Sequence, residues 1–217
     1  MGKFKTTGET MVHGGFFAFK EPKPKKIEPS LCLNPTMNSS EIAFLQTYLL
    51  KVKSVFEFGC GGSTTFISEN KNIKKIHSVD SDINWINVIK KSCPKKTKLH
   101  YVDINANPVN WGHPKDYSKI ENWPKYSSGL LKIRNFFPDL ILVDGRFRVA
   151  CALKSIERMK KNSYLMIHDY TGGKYNGVEK YLNIIDKSCS LYVFSKKNNI
   201  NKQELEKDIK RYEYICD

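Results

Sequence analysis

The feature that most constrains this chain is a glycine-rich turn at residues 59–62, between an apolar run and a stretch of hydroxyl side chains. The run at 55–58 has the character of a buried strand, and Ser63 and Thr64 favour the start of a helix. Glycines leave no side chain between the main chain and a ligand. A strand, a glycine turn and a helix in this order indicate an α/β sheet that binds a ligand where its strands end.

The length and composition limit the class of protein. With 217 residues, the chain has the size of one ordinary domain. Its apolar runs are shorter than a bilayer span, and its first residues lack the apolar stretch of a secretory signal. The six cysteines are scattered without a Cys-x-x-Cys pair, so neither a zinc site nor a disulfide framework is indicated. We therefore expect a cytoplasmic protein without a membrane span.

The charge is strongly positive, with a formal net charge of +14 at pH 7. Such a balance favours polyanions such as nucleic acid, an anionic membrane surface or a phosphorylated substrate. The lysines are spread along the chain, however, and the densest cluster at residues 20–26 alternates with prolines as in an extended linker. No arginine-rich helix or RNA-binding signature is present, so a nucleic-acid partner is not the expectation.

The chain divides into a lead-in and one domain. Residues 1–37 show no apolar periodicity and predict a flexible lead-in, or a linker from a longer polypeptide, ahead of a domain at 38–217. Asn38 and Glu41 have the spacing of a capping box, which predicts a helix over 39–51. Strands and helices then alternate, which predicts a mostly parallel sheet with helices on both faces. The predicted strands are 52–58, 75–80, 99–103, 139–144, 164–168, 191–194 and 211–216, and the later predicted helices are 63–69, 83–91, 147–160 and 178–185.

The glycine turn also narrows the choice of ligand. Residues 57–63 read Glu-Phe-Gly-Cys-Gly-Gly-Ser, followed by Thr64 where the dinucleotide fingerprint has its third glycine, and they lack the lysine of a Walker loop. The pattern resembles the first motif of class I S-adenosylmethionine-dependent methyltransferases, and the resemblance covers about residues 38–217. It implies S-adenosylmethionine as cofactor and a Rossmann-like α/β fold. That fold has a seven-stranded, mostly parallel sheet with one antiparallel strand near the C-terminus.

The resemblance implies the cofactor contacts. In the family, an acidic residue at the end of the second strand binds the ribose diol, which points to Asp80, whereas Asp82 is expected to cap the next helix. The third strand ends at Asp103 and Ile104, where the family contacts adenine; a turn cap is the alternative for Asp103. The predicted cofactor-binding residues are Glu57, Gly59, Gly61, Gly62, Ser63, Thr64, Asp80, Asp103, Ile104 and Asp144.

The catalytic candidates follow the fourth and fifth strands. Burying a lone carboxylate is costly, so Asp144 is expected to face the site; an ion pair with Arg146 or Arg148 is the alternative. His168 ends the adjoining strand, and histidine suits removal of a proton from a hydroxyl, with a packing role as the alternative. The predicted catalytic residues are His168, Asp144 and Asp169.

A metal requirement stays open at this stage. Catechol-type methyltransferases bind a divalent metal through an aspartate after the fourth strand and an Asp-Asn pair after the fifth. Asp144 and Asp169 match these positions, but Tyr170 replaces the asparagine.

Residues 104–138 interrupt the alternation with an irregular segment rich in aromatic residues. Long irregular segments are usually functional or disordered, and we expect a wall of the acceptor pocket. A structural insertion over one sheet edge is the alternative. A polar loop at 171–177 is predicted to be a gate or a wide turn. The predicted substrate-binding residues are Trp111, His113, Trp123, Tyr126, Arg146, Tyr170 and Tyr175.

The same motifs point to the acceptor. Within the family, Val-Asp-Gly-Arg-Phe-Arg and His-Asp-Tyr look similar to segments of small enzymes associated with glycan and polysaccharide O-methylation. The Asn/Asp-Pro-Pro-Tyr/Phe element of many amino-group methylases is absent. The expected reaction is therefore methyl transfer to a hydroxyl of a sugar in a glycan or polysaccharide, with fused or associated glycosyltransferase domains as partners. An RNA methyltransferase and a non-catalytic scaffold are the alternatives.

Overall fold

The computed structural model describes residues 34–216, so the predicted lead-in at 1–37 lies almost entirely outside the described part. The strands are β1 (Ser54–Phe58), β2 (Lys75–Asp80), β3 (Thr97–Tyr101), β4 (Ala106–Asn107), β5 (His113–Pro114), β6 (Leu140–Val143), β7 (Tyr164–Ile167), β8 (Leu182–Ser188) and β9 (Leu191–Lys196). The helices are α1 (Ser39–Leu49), α2 (Gly62–Glu69), α3 (Ile83–Ser92), α4 (Trp123–Ser127), α5 (Arg148–Ser155) and α6 (Lys202–Tyr212). Over residues 34–216, no helix is both long enough and apolar enough to cross a membrane.

A seven-stranded sheet with the order β3-β2-β1-β6-β7-β9-β8 forms the centre, and β4 and β5 pair separately. Strand β9 runs antiparallel to both of its neighbours, while the other pairs of this seven-stranded sheet are parallel. This arrangement confirms the predicted sheet. The ends of β1, β2, β6 and β7 meet at one side of the sheet, which we refer to as the carboxyl edge.

Strand β6 shows why these segments form a parallel sheet. Its sequence is Leu-Ile-Leu-Val, and all four residues are buried, as expected for a strand that is covered on both faces. Ile141 and Val143 belong to the main core cluster, on which α5 packs. Leu140 and Leu142 belong to a second core cluster on the other face, on which α1 packs. The alternation of side chains along the strand thus places one core on each side of the sheet.

Asp139, immediately before β6, connects strands at the side of the sheet opposite the carboxyl edge. Its Oδ2 accepts hydrogen bonds from the main-chain N–H groups of Lys53 and Ser54, both at 3.0 Å. Its Oδ1 pairs with Lys160, ahead of β7. Burial raises the pKa of Asp139, but these partners outweigh it, and the pKa lies below its ordinary value. One side chain thus supports the alignment of β1, β6 and β7.

Two predictions near the C-terminus are wrong. Residues 178–185, predicted as a helix, lead from a 3-10 turn at Gly173–Val178 into β8. Their apolar side chains have helical spacing, but β8 is an edge strand that leaves Ile184 and Ile185 exposed. The sequence pattern therefore suggested a buried helical face that does not exist.

The second error concerns residues 211–216, predicted as a strand. The first two belong to the last turn of α6, and residues 213–216 follow the helix without forming a strand. The side chain of Asn201 caps this helix by accepting hydrogen bonds from the N–H groups of Gln203 and Glu204. Leu205 and Ile209 pack on the main core cluster from one face of the helix. The antiparallel strand predicted near the C-terminus exists, but it is β9, which pairs with β7 and β8.

Candidate active site

The glycine turn depends on close contact between the ends of β1 and β6. Gly59 has a φ of +90°, and a Cβ there would lie 2.7 Å from the Cα of Gly145. Gly61 is extended, and among the described atoms a Cβ there would approach only Trp85 Nε1, at 3.8 Å. The fold therefore requires a glycine at 59, whereas no described atom fills the space beside Gly61, where a ligand could approach the main chain.

Glu57 lies beneath this turn and is fully buried. Its carboxylate accepts hydrogen bonds from the hydroxyls of Ser63 and Thr64, both at 2.5 Å. Burial raises the pKa of Glu57 to about 7, although the hydrogen bonds from these hydroxyls oppose the rise. The Glu57 carboxyl beneath the turn is therefore partly protonated near pH 7, and a cation bound nearby would favour its ionised form.

Asp80 organises the end of β2. Its Oδ2 accepts a hydrogen bond from the N–H of Cys60 at 2.8 Å, and its Oδ1 accepts from Ser81 and Asp82 at 2.7 and 2.9 Å. Burial raises the pKa of this carboxyl. Each carboxylate oxygen offers about two acceptor positions, so Oδ2 retains one for a ligand hydroxyl. Asp82 caps α3, as predicted, by accepting from the N–H of Asn84.

The residues after β3 have different environments. Asp103 caps a turn by accepting a hydrogen bond from the N–H of Asn105 at 2.9 Å, which is the alternative that the sequence left open. Its side chain is nevertheless 43% exposed and lies 3.9 Å from Lys119 Nζ. Ile104 is buried in the main core cluster. A contact with adenine thus stays open to Asp103, while Ile104 packs inside the fold.

Asp144 and His168 lie side by side at the ends of β6 and β7. His168 Nδ1 is 2.8 Å from Asp144 Oδ1. The imidazole is buried, and the carboxylate is partly exposed. The structure therefore brings these two predicted residues together, and the hydrogen-bonding partner of Asp144 is His168 rather than an arginine.

Two further carboxylates face the other nitrogen of His168. Glu41 Oε2 lies 3.5 Å and Asp169 Oδ1 lies 3.7 Å from Nε2. Burial lowers the pKa of His168, but the hydrogen bond and charge of Asp144 and the charges of Asp169 and Glu41 outweigh it. The pKa therefore lies above its ordinary value. The imidazole is a stronger base than free histidine and keeps its proton to a higher pH.

Arg148 is a buried cation behind this cluster. Its Nη2 lies 3.5 Å from Asp169 Oδ2, and its Nη1 donates a hydrogen bond to the hydroxyl of Tyr175 at 3.0 Å. Its Nε donates to the carbonyl of Gly145 at 3.1 Å. Asp169 has a φ of +55°, an uncommon conformation for a residue with a side chain. Arg148 thus holds Asp169, Tyr175 and the end of β6 together.

The aromatic residues predicted to bind substrate are mostly buried. The main core cluster contains four of them, each at most 5% exposed: Trp123, Tyr126, Tyr170 and Tyr175. In this conformation these rings support the site from inside the fold. The second half of the irregular segment therefore acts as a structural insertion.

The turn between β4 and β5 has the opposite character. Trp111 is 77% exposed. A Cβ on the next residue, Gly112, would lie 3.7 Å from Ser81 Oγ, beside the end of β2. His113 Nε2 is 2.7 Å from Arg146 Nη1, beyond the end of β6. The first half of the irregular segment therefore extends along the carboxyl edge, where a pocket wall was expected.

Within residues 34–216, one cluster has the composition of a metal site: single atoms of Asp144, His168 and Asp169 lie within 4.8 Å of one another. A metal-binding imidazole directs a lone pair at the ion, whereas both nitrogens of His168 face carboxylates that favour a proton. Tyr170, at the position of the asparagine in the metal-binding relatives, donates its hydroxyl to Glu179 at 2.5 Å. The donor set therefore does not fit a divalent metal.

Glu41 is the residue of this cluster that sequence reasoning missed. The capping-box spacing predicted its hydrogen bond to Asn38, which the structure contains. Its approach to His168 depends on how α1 packs across the sheet, and the sequence carries no local signal for that contact.

The strand order, the glycine turn and the acidic residues that end β2 and β6 together define a class I S-adenosylmethionine-dependent methyltransferase, and the chain is an enzyme of this class. Among solved structures it is similar to a methyltransferase-like protein from Silicibacter pomeroyi, with a TM-score of 0.72 and 27% identity over 84% of this chain and 98% of that one. A tRNA methyltransferase (TrmI) from Aquifex aeolicus shares the fold alone, with a TM-score of 0.50 and 12% identity over 76% of this chain and 70% of that one. No protein-family model matches the chain, and neither does any curated protein.

Proposed function

We propose that this methyltransferase acts on a hydroxyl group of a sugar in a glycan or polysaccharide. The observation that carries the proposal is the 2.8 Å contact between Asp144 and His168 at the carboxyl edge. A hydroxyl is a weak nucleophile until its proton is removed. A histidine suits that task, because the best general bases titrate near the working pH, and the pKa of His168 lies above its ordinary value.

The described residues support a direct displacement. S-adenosylmethionine supplies an electrophilic methyl group on a sulfonium centre. The space beside Gly61 and the remaining acceptor position on Asp80 suit its binding. Asp144 holds Nδ1 of His168, and when the imidazole is in its neutral form, Nε2 accepts the hydroxyl proton as the acceptor oxygen attacks. General-base help of this kind contributes about 10²–10⁴-fold, and alignment of the reactants contributes further.

A sugar is favoured over other hydroxyl compounds by the exposed ring of Trp111. A side chain that is 77% exposed beside the carboxyl edge offers a broad apolar face at little conformational cost. Sugar rings present C–H faces that can pack on such a surface. The likeness to glycan O-methylating enzymes and the missing Asn/Asp-Pro-Pro-Tyr/Phe element also favour this acceptor.

The test combines turnover with cofactor binding. With a panel of oligosaccharides, formation of S-adenosylhomocysteine is expected, and His168→Ala should lower kcat by about 10²–10⁴-fold. The same variant should bind S-adenosylhomocysteine with a Kd within about threefold of wild type, because the base acts in the transition state. Equal losses of turnover and affinity would contradict the role of base. Methylation of amines but not of sugars would contradict the acceptor class.

RNA is the second candidate acceptor, and the net charge of +14 favours it. An RNA substrate would bind with a steep dependence on salt, since each phosphate contact releases counterions. Binding that is undetectable at low salt would exclude this candidate. A scaffold without catalytic activity would instead fail to bind S-adenosylmethionine in calorimetry.

A further inference from the structure

We infer that Glu41 is a positioning residue for His168, through which the start of α1 and the turn between β8 and β9 control the proposed base. The inference rests on the proposed function, because Glu41 acts on the reaction only through His168. Glu41 lies on α1, outside the glycine turn and the ends of β6 and β7 that carry the other residues of the proposed site.

The contacts of Glu41 connect three parts of the fold. Its Oε1 accepts hydrogen bonds from the N–H and the hydroxyl of Ser190, at 2.8 and 2.7 Å, in the turn between β8 and β9. Its Oε2 accepts from the N–H of Asn38 at 3.1 Å and lies 3.5 Å from His168 Nε2. The carboxylate is therefore held from two sides and presented to the imidazole.

A helix cap alone does not account for this environment. A capping-box glutamate needs only its contact with the N-cap N–H, whereas Glu41 is 2% exposed. A buried carboxylate is costly unless it is hydrogen-bonded and paired with a cation. Burial raises the pKa of Glu41, but the hydrogen bonds from Ser190 and Asn38 and the charge of His168 outweigh it, so the pKa lies below its ordinary value. The charge of His168 is the smallest of these effects, and it adds to the hydrogen bonds that keep Glu41 ionised.

Among the groups that face His168, Glu41 is the least screened by solvent. Asp144 approaches from the end of β6 and Asp169 from the residue after His168, with side chains 21% and 57% exposed. Glu41 approaches from α1 with a side chain only 3% exposed. Arg148, from α5, lies beside Asp169 and offsets part of its charge. The charge of Glu41 is therefore the one most shielded from solvent, although its effect on the pKa of His168 ranks after those of Asp144 and Asp169.

Glu41→Gln is the informative variant, because it removes the charge at nearly constant shape; its single amide oxygen can keep the acceptor contact with Ser190 or with the N–H of Asn38, but not both. The titration midpoint of His168, followed by NMR with the His168→Ala spectrum for assignment, should move down by about one pH unit. A unit charge at this distance has that effect even with water-like screening. The midpoint in the pH profile of kcat/KM should move with it. Glu41→Asp withdraws the charge from Nε2 and should give a smaller shift in the same direction.

Asn38→Ala is the matched control, since it removes the other half of the cap and leaves the charge of Glu41 in place. It should lower the free energy of unfolding while the His168 titration stays within about 0.2 pH unit. An unchanged titration in Glu41→Gln would overturn the inference, as would a wild-type His168 midpoint at or below 6.5, the ordinary value of its pKa. A shifted titration in Glu41→Gln, together with full activity of His168→Ala, would refute the proposed function and leave the pairing intact.

Discussion

Two glycines of the same turn are expected to respond differently to alanine. At Gly59, a φ of +90° costs an L-residue about 1–2 kcal/mol. The new Cβ would also lie 2.7 Å from the Cα of Gly145, which is main chain and cannot rotate away. Overpacking of this kind costs about 1–3 kcal/mol. Gly59→Ala should therefore lower the free energy of unfolding by about 2–5 kcal/mol, a large part of a typical domain's stability.

Gly61→Ala should instead leave the fold intact. The main chain there is extended, and the nearest described atom to a new Cβ is Trp85 Nε1 at 3.8 Å. The free energy of unfolding should therefore change by less than about 1 kcal/mol. The methyl group would, however, occupy the space proposed for the cofactor. We expect the Kd for S-adenosylhomocysteine to rise at least about tenfold, which corresponds to about 1.4 kcal/mol.

Chemical denaturation and calorimetric titration with S-adenosylhomocysteine measure the two effects separately. The informative result is the contrast between the variants, since both replace a glycine of one turn by the same residue. Wild-type affinity in Gly61→Ala would refute the placement of the cofactor beside this glycine. Wild-type stability in Gly59→Ala would refute the argument from the contact with Gly145.

Three further predictions concern protons and metal. Near pH 7, cofactor binding should release about half a proton, because the pKa of Glu57 is about 7 and a bound cation favours the ionised carboxylate. Calorimetry in two buffers of different ionisation enthalpy measures this release. The variant Glu57→Gln should abolish it. Burial lowers the pKa of His77 to about 4, and its Nδ1 lies 2.8 Å from His100 Nε2. Between pH 6.5 and 4 the unfolded chain therefore binds more protons than the folded protein. The free energy of unfolding should consequently fall as the pH decreases through this range. If the free energy of unfolding of His77→Gln fell equally steeply over this pH range, groups other than His77 would be responsible for the pH dependence. Dialysis against a chelator should leave kcat unchanged, and a loss that Mg²⁺ restores would contradict the assessment of the donor set around His168.

The sequence predicts the parts of the fold that depend on local pattern. The glycine turn and the strand ends at Asp80 and Asp144 follow from short apolar runs that stop at a charged residue. Adjacent strands bring Asp144 and His168 together without further information. The same local pattern fails at β8, because this edge strand exposes apolar residues that periodicity assigns to the core side of a helix.

The rest of the site depends on tertiary packing. The composition of residues 104–138 indicates aromatic rings, but it does not distinguish Trp111 at the surface from Trp123 in the core. The approach of Glu41 to His168 requires α1 to lie across the sheet beside the turn that carries Ser190. Neither contact has a signature within a short stretch of sequence, since each joins segments far apart in the chain.

The two aspartates that flank β6 give a four-residue strand an anchor at each end. Successive side chains of a strand point to opposite faces, so slippage by a single position would turn Asp144 away from His168. The contacts of Asp139 with Lys53, Ser54 and Lys160 resist such slippage from the far side of the sheet. Random mutagenesis scored for lost methylation should consequently recover substitutions at Asp139, a full strand length from any reacting atom.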